Sequence, residues 1–512
     1  MSEARAIARN AVTSYGARIL LVLSVLLLTP YLFRRLGTDG FGTWSVIYTI
    51  GSIFALIEFG FSAGVTKLVA ELRGKGDQRG VQALVGASVT LMSGMGVVAL
   101  VLSLLAAAFL DGLAAQGERD AFRTGMSLLG VAMLVRLPLA AYGASLIGYQ
   151  QAHWFNAGEA VAAVGFPIGA VVAIESGAGI AGVAAAYGGA LVGAGILFAV
   201  FLRRTDPRLS MRPRFADRAT RRKVRSFASL TLLADAMVFV GTRMDTIVIA
   251  ALRGAAAAAP FAAAVKLQSG LQSLTFPIYL LFMPMVSEMW ASGRRAEVVT
   301  RMELATRIAI QITLPVGLAL ALFSTDIVDL WLGEDAPSVT AAIIVLLVSS
   351  QVVTLSVVPA EKTLIGLGRV RLIGAIAVVE GISNLALSIF LVSRYGAVGA
   401  ALGTLLTYGM LAPIKVPLAA RTVGVPTRQV LASGVVPALL SSIVPGAWML
   451  AAWSLLPSGP LRLAVGMGVG LLIWLAVGLR QVGVRRVAGF LRTKDVPQEA
   501  RTEPPEAELL EL

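Results

Sequence analysis

Gly179-Ile-Ala-Gly182-Val-Ala recurs as Gly396-Ala-Val-Gly399-Ala-Ala, 217 residues further along the chain (179 to 396). Val69-Ala-Glu71-Leu-Arg-Gly-Lys-Gly76 answers to Val286-Ser-Glu288-Met-Trp-Ala-Ser-Gly293 at the same spacing of 217 (71 to 288), and Leu146-Ile-Gly148 answers to Leu364-Ile-Gly366 at 218 (146 to 364). Short Gly and Ala matches carry little singly. Three of them in one order and one register indicate an internal duplication.

What is duplicated follows from composition. The chain has 512 residues, of which 57% are hydrophobic and 14% charged, with a mean hydropathy of +0.81. A soluble domain carries roughly a quarter of its residues as charged side chains, so this is an integral membrane protein. Apolar runs of about 18 residues or more, each long enough to cross some 30 Å of hydrocarbon as a helix, lie near 11–33, 41–63, 82–110, 124–148, 157–175, 179–202, 227–251, 258–284, 303–324, 338–358, 372–393, 396–419, 430–455 and 461–480. They are continuous rather than alternating, which excludes a barrel of short strands. The expected fold is all-α with about fourteen transmembrane helices.

Each repeat unit takes in six spans, and an even number returns the chain to its starting side. The repeats are therefore parallel, related by an axis along the membrane normal, an arrangement that encloses a central cavity. The expected organisation is an N-terminal six-helix lobe (1–202), a basic linker (203–225), a C-terminal six-helix lobe (226–420), two additional helices (421–480) and an acidic, Pro-containing tail (481–512) expected to be disordered.

The net charge of +14 might suggest nucleic acid, but the placement of the bases reports topology instead. Counted with both termini inside, inward loops and ends hold about thirty Lys and Arg, whereas outward loops hold only Arg34, Arg35, Arg119, Arg123, Arg253, Arg394 and Arg462. The linker RRTDPRLSMRPRFADRATRRKVR is then cytoplasmic, where it can also meet anionic lipid. The first span begins with polar residues and has no A-x-A site, so no cleaved signal peptide is expected. Absence of Cys removes disulfides, iron–sulfur clusters and thiol catalysis. His153 is the single histidine, so neither a histidine metal site nor a Ser-His-Asp triad is expected, and no cofactor is implied. Gly177-Ala-Gly179-Ile-Ala-Gly182 fits a dinucleotide fingerprint in letters alone. It lies between two spans without a preceding strand, and close helix packing explains it better. Trp44, Tyr48 and Trp331 read as interfacial aromatics with the capacity to stack on sugars.

Charges inside the spans point to a site, because an ionised group near the bilayer centre costs roughly 2.5–3.5 kcal/mol on insertion scales and is kept only against protein or a wet cavity. The set is Arg18, Glu58, Arg136, Glu159, Asp235, Arg243, Asp245, Lys266, Arg307 and Glu380. In Phe239-Val-Gly-Thr-Arg-Met-Asp-Thr-Ile-Val-Ile-Ala250, Arg243 and Asp245 are two apart and so about 200° apart round a helix. One faces the cavity and the other its neighbours. Cavity cations can hold a pyrophosphate through charge-assisted hydrogen bonds, or they can sit in ion pairs within and between lobes. The basic candidates for substrate are Arg18, Arg136, Arg243, Lys266 and Arg307. The acids Glu58, Glu159, Asp235, Asp245 and Glu380 are candidates for a coupling proton or sodium ion, or are permanent partners of the bases.

The run Asn10…Pro30-Tyr-Leu-Phe-Arg-Arg-Leu-Gly37-Thr-Asp-Gly40-Phe-Gly42…Glu58-Phe-Gly60, the Arg243-Met-Asp245-Thr-Ile-Val-Ile run and Asp329-Leu-Trp-Leu-Gly333 resemble a polysaccharide-type flippase of the multidrug/oligosaccharidyl-lipid/polysaccharide exporter superfamily, over about residues 8–420. That resemblance implies a two-lobe, inverted-V transporter in the bacterial cytoplasmic membrane. It moves an undecaprenyl-pyrophosphate-linked oligosaccharide, such as an O-antigen, exopolysaccharide or capsule unit, in company with a polymerase and glycosyltransferases. It also implies cavity bases on the first and eighth helices, which here are Arg18 and Lys266, while Glu58 stands on the second helix where some relatives have a base. The alternatives are a cation-coupled multidrug antiporter, a flippase for a peptidoglycan lipid precursor and, disfavoured by the short outward loops, a membrane enzyme.

Overall fold

The computed structural model describes residues 3–209, 241 and 243–482, and all its regular elements are helices. A spanning chain must satisfy its N–H and C=O groups without water, and an α-helix does this within one segment. Helix α1 (Glu3–Gly74) bends at Gly37 and crosses twice. It is followed by α2 (Gln78–Phe109), α3 (Arg119–Gly148), α4 (Ala152–Glu175) and α5 (Gly179–Thr205). After the linker come α6 (243–253 in its described part), α7 (Ala255–Ala291), α8 (Arg295–Leu322), the short α9 (Ser324–Trp331), α10 (Val339–Gly366) and α11 (Val370–Leu411), which bends at Gly396 and runs on into α12 (Lys415–Val423). The last two passes are α13 (Thr427–Val430) with α14 (Val436–Leu455), and α15 (Pro460–Arg462) with α16 (Gly470–Val482), each joined by a π-helical stretch.

Ten described stretches are long and apolar enough to cross. Two of these, on α1 and α11, are broken by the bends at Gly37 and Gly396, and the described helices agree approximately with the expected fourteen passes. Several helices begin outside their apolar runs. Helix α8 starts at Arg295 rather than 303, because Glu297, Arg301 and Glu303 extend the helix beyond the hydrocarbon. Linker residues 210–225, tail residues from 483 onward, and Asp235 lie outside the described residues.

The duplication is visible in the backbone. Positive φ occurs at Gly37 and Gly254, at Gly76 and Gly293, and at Gly179 and Gly396, each pair 217 apart, and at Gln150 and Gly368, 218 apart. Side-chain packing repeats as well. A Cβ on Gly148 would stand 2.8 Å from Val69 and 2.9 Å from the Thr66 carbonyl. One on Gly366 would stand 3.0 Å from Val286 and 3.3 Å from the Met283 carbonyl. The same close helix contact is thus made in both lobes, and only a residue without a Cβ allows it. The corners repeat too. Arg35 binds Glu175 at 2.5 Å, and Arg253, 218 positions on, donates to the carbonyls of Val392 (3.1 Å) and Ser393.

The two C-terminal passes dock on α8. Arg307 donates to the Ser433 carbonyl from Nε at 3.2 Å and Nη2 at 2.6 Å, and Gln311 donates to Ser441 (3.3 Å) and Gln481 (3.1 Å).

Candidate functional site: a cationic cavity between the lobes

The second leg of α1 presents Ser45, Tyr48, Thr49 and Ser52 on one side, the i, i+3, i+4, i+7 spacing of a helix face. Ser45 and Thr49 each donate to the carbonyl four residues back at 2.7 Å, and Ser52 donates to Thr49 at 2.6 Å. Their hydroxyl protons are committed to the helix. Opposite this stripe stand α6 and α7 of the other lobe, and between them lies a small polar cavity. Its wall is completed by Arg243, Thr246, Phe261, Ala262, Val265 and Lys266. Two cations therefore share a cavity whose described lining residues include no acid. The Lys266 ammonium lies 4.1 Å from the centroid of the Tyr48 ring, across the lobe boundary. Tyr48 is backed by Tyr187 at 5.3 Å and Trp44 at 5.9 Å. A π-face attracts a cation without consuming its N–H donors as a carboxylate would.

Asp245 turns away from this cavity, as its angle to Arg243 requires. It is 5% exposed and accepts a hydrogen bond from Thr404 at 3.1 Å, with Ser388 alongside. Asn384, which bonds the Gly241 carbonyl at 2.6 Å, and Tyr408, which bonds the same carbonyl at 3.0 Å, complete the surroundings. Among the described residues no cation pairs with Asp245.

The remaining predicted charges fall elsewhere. Arg136, on α3, is 3% exposed inside the N-terminal lobe and not at the cavity. It binds Glu58 at 2.7 Å and Glu159 at 3.3 Å and lies over the Phe198 ring. Three candidates thus form one ion-pair triad, in which Arg136 and Glu58 are shielded while the Glu159 side chain is 39% exposed. Arg307 holds the C-terminal helix pair. Arg18 lies one turn before Val22, where α1 runs beside Gly270 of α7, and is not on the cavity wall. Glu380 belongs to a cluster in which Lys415 binds both Glu361 (3.0 Å) and Glu380 (3.0 Å). Lys415 lies inside the apolar run 396–419, a signal that places it with the intramembrane charges, whereas Glu361 lies three residues beyond the run ending at 358, so its burial has no hydropathy signal.

Where the linker leaves α5, Asp206 accepts from Tyr149 at 2.8 Å and from Gln78. Partial burial and then the Asp206 bond push the Tyr149 phenol up to about 12. Burial alone would raise Asp206, but its bonds from Tyr149, Gln78 and the Arg208 N–H outweigh this and hold it below the usual carboxylate range.

A duplicated six-pass bundle with a polar cavity at the lobe boundary is the architecture of a membrane transporter. The chain belongs to the polysaccharide biosynthesis protein family, whose pattern residues 7–290 match. The fold is that of a lipid II flippase solved in an inward closed conformation, with a TM-score of 0.69 at 14% identity over 94% of this chain and 99% of that one. It is likewise that of an inward-facing multidrug resistance transporter, with a TM-score of 0.66 at 17% identity over 81% of this chain and 98% of that one. A transporter from Pyrococcus furiosus, described as having a binding pocket of reversed polarity, aligns with a TM-score of 0.56 at 15% identity over 82% of this chain and 95% of that one. No curated protein matches the chain by sequence.

Proposed function

We propose that the protein is a flippase, not an enzyme, that carries a polyprenyl-pyrophosphate-linked oligosaccharide across the bacterial cytoplasmic membrane by alternating access. In this reading both termini and the linker are cytoplasmic, residues 1–202 and 226–420 act as the moving lobes, and 421–480 is an added helix pair. The observation that carries it is the pairing of Arg243 and Lys266 on a wall with no acid among its described residues. Buried membrane cations are normally neutralised, as Arg136 and Lys415 are here. Two left together with no carboxylate among the described lining residues favour an anionic guest such as a pyrophosphate head, whose transfer through hydrocarbon unaided would cost several kcal/mol per polar group. The lipid tail stays in the bilayer.

The multidrug antiporter reading is less well supported. Its solved examples stop short of this chain's length, whereas the flippase match extends over 94% of it. Asp245, buried with no cation beside it among the described residues and surrounded by hydroxyl and amide groups, is our candidate for the coupling ion or proton.

Deleting the gene and identifying the lipid-linked sugar that accumulates on the cytoplasmic leaflet tests the reading. Complementation with Lys266→Ala or Arg243→Ala, at normal membrane abundance, is expected to restore little export. Full export by the double variant would refute the site, and absence of any trapped lipid-linked sugar would refute the substrate class.

A further inference from the structure

Three departures from the internal symmetry meet at one place on the membrane face opposite the linker. The first is Arg34. Its neighbour Arg35 makes an intralobe corner contact, as Arg253 does in the other lobe, but at the 217 spacing of Gly37 and Gly254 the position matching Arg34 is Ala251. Arg34 instead crosses to the other lobe, donating from Nε to the Leu332 carbonyl at 3.1 Å and from Nη2 to the carbonyls of Leu330 (3.0 Å) and Trp331 (3.2 Å). The second is α9, whose C-terminal carbonyls those are. They form the negative end of a helix and suit a guanidinium. Trp331 adds a return contact. Its indole Nε1 donates at 2.8 Å to the carbonyl of Leu26, the helical acceptor left without a donor because Pro30, four residues on, has no N–H. The third is the C-terminal helix pair, which lies outside the duplication. At the opposite end of α9, Asp326 accepts from the Gly459 N–H at 2.8 Å and takes the Arg462 guanidinium in a two-pronged pair with both contacts at 2.8 Å.

The two ends of α9 differ in water access. The Asp326 side chain is 1% exposed and that of Arg462 12%, so this pair cannot be separated without stranding a buried charge. Arg34 is exposed, and water can replace the carbonyls it leaves. One end is a fixed seat and the other a releasable grip.

We propose that the C-terminal helix pair governs closure of the transport path on this face: by seating α9 through Asp326 and Arg462, it holds the carbonyls and the indole where Arg34 and Leu26 of the other lobe can lock onto them. Each opening cycle then breaks the Arg34 and Trp331 contacts while Asp326–Arg462 stays intact. The helix pair thereby acts on the equilibrium between closed and open states without lining the cavity.

The chain's lack of cysteine allows a direct test in the full-length protein. A Ser45→Cys reporter on the cavity wall is exposed to a membrane-impermeant thiol reagent in right-side-out and inverted vesicles. Glu334→Cys, in the loop after α9, shows independently which vesicles present this face. In those vesicles Arg34→Ala and Asp326→Asn are each expected to raise the Ser45→Cys labelling rate by about tenfold, within the usual range of coupling between sites. The double variant should add little to either, because both act on one closure. Arg462→Lys, which keeps the charge but loses the fork, should give an intermediate rate and stands in if Asp326→Asn fails to reach the membrane. Gln311→Ala, which loosens the helix pair at a different point, should leave labelling unchanged. Unchanged labelling in Asp326→Asn and Arg462→Lys, with a raised rate in Arg34→Ala, would overturn the role of the helix pair. An equal rise with Gln311→Ala would reduce that role to general stability.

Discussion

The Lys266 ammonium rests on the face of Tyr48, 4.1 Å from the ring centroid, and the two residues belong to different lobes. Such a contact is worth about 0.5–2 kcal/mol depending on desolvation. It keeps Lys266 aimed into the cavity while leaving its donors available to an anion. Tyr48→Phe retains the π-face and is expected to export close to normally. Tyr48→Leu removes it and should weaken inorganic pyrophosphate binding to the purified protein by about threefold to tenfold, in line with the cation–π energy. A double-mutant cycle with Lys266→Ala provides the check: if Tyr48→Leu still weakens binding fully in the Lys266→Ala background, the two residues act separately.

Breaking the shielded Arg136–Glu58 pair should damage stability before it damages recognition. Arg136→Gln leaves Glu58 and Glu159 facing each other without a cation, and removing one partner of a buried pair costs roughly 3–5 kcal/mol. Thermal unfolding in detergent is expected to show a large drop, and Glu58→Gln in the same chain should recover part of it. If Arg136→Gln is as stable as the parent yet fails to export, the guanidinium belongs with the substrate residues after all.

Asp245→Asn keeps a hydrogen-bond acceptor for Thr404 and removes the charge. Its thermal stability should fall by no more than about 1 kcal/mol, the scale of one neutral hydrogen bond. Export should become insensitive to an imposed proton or sodium gradient. Retained gradient dependence in the variant would move the coupling role to another carboxyl.

Tyr149 offers a pH test outside the membrane. Its phenol is raised from an ordinary 10 to about 12, so the folded state binds this proton more tightly than the unfolded chain. The corresponding stabilisation is present below pH 10 and is lost as pH rises through about 12. A phenolate absorbance titration of the parent minus that of Tyr149→Phe is expected to show a midpoint well above 10. A midpoint at 10 would mean that the Tyr149–Asp206 bond does not persist in solution.

Most of the fold could be read from the chain because the bilayer simplifies the problem: an apolar run of sufficient length has few alternatives to a helix. The duplication was legible through Gly76, Gly179, Gly293 and Gly396, positions where positive φ limits the residue types that fit. The site was only partly legible. Angular spacing separated Arg243 from Asp245, but the partners of Arg136 lie 78 and 23 residues away. No periodicity ties them together. The Ser45, Tyr48, Thr49, Ser52 stripe had a usable signal, a polar face at helical spacing within an apolar span. Trp331 looked like an interfacial anchor, and nothing local announces a bond to a carbonyl 305 residues earlier.

At Gly42 the lobes touch backbone to backbone. A Cβ placed there would stand 2.0 Å from the carbonyl oxygen of Ala255, nearer than atoms can approach. Neither partner is a side chain that could rotate aside, so the smallest substitution, Gly42→Ala, acts as a wedge driven into the joint. Moving a single methyl group from solvent-like freedom into that contact would make the closed arrangement inaccessible while leaving the interior of each lobe untouched. The residue thereby supplies a chemical handle for holding the molecule in its other state, with no ligand, antibody or cross-link required.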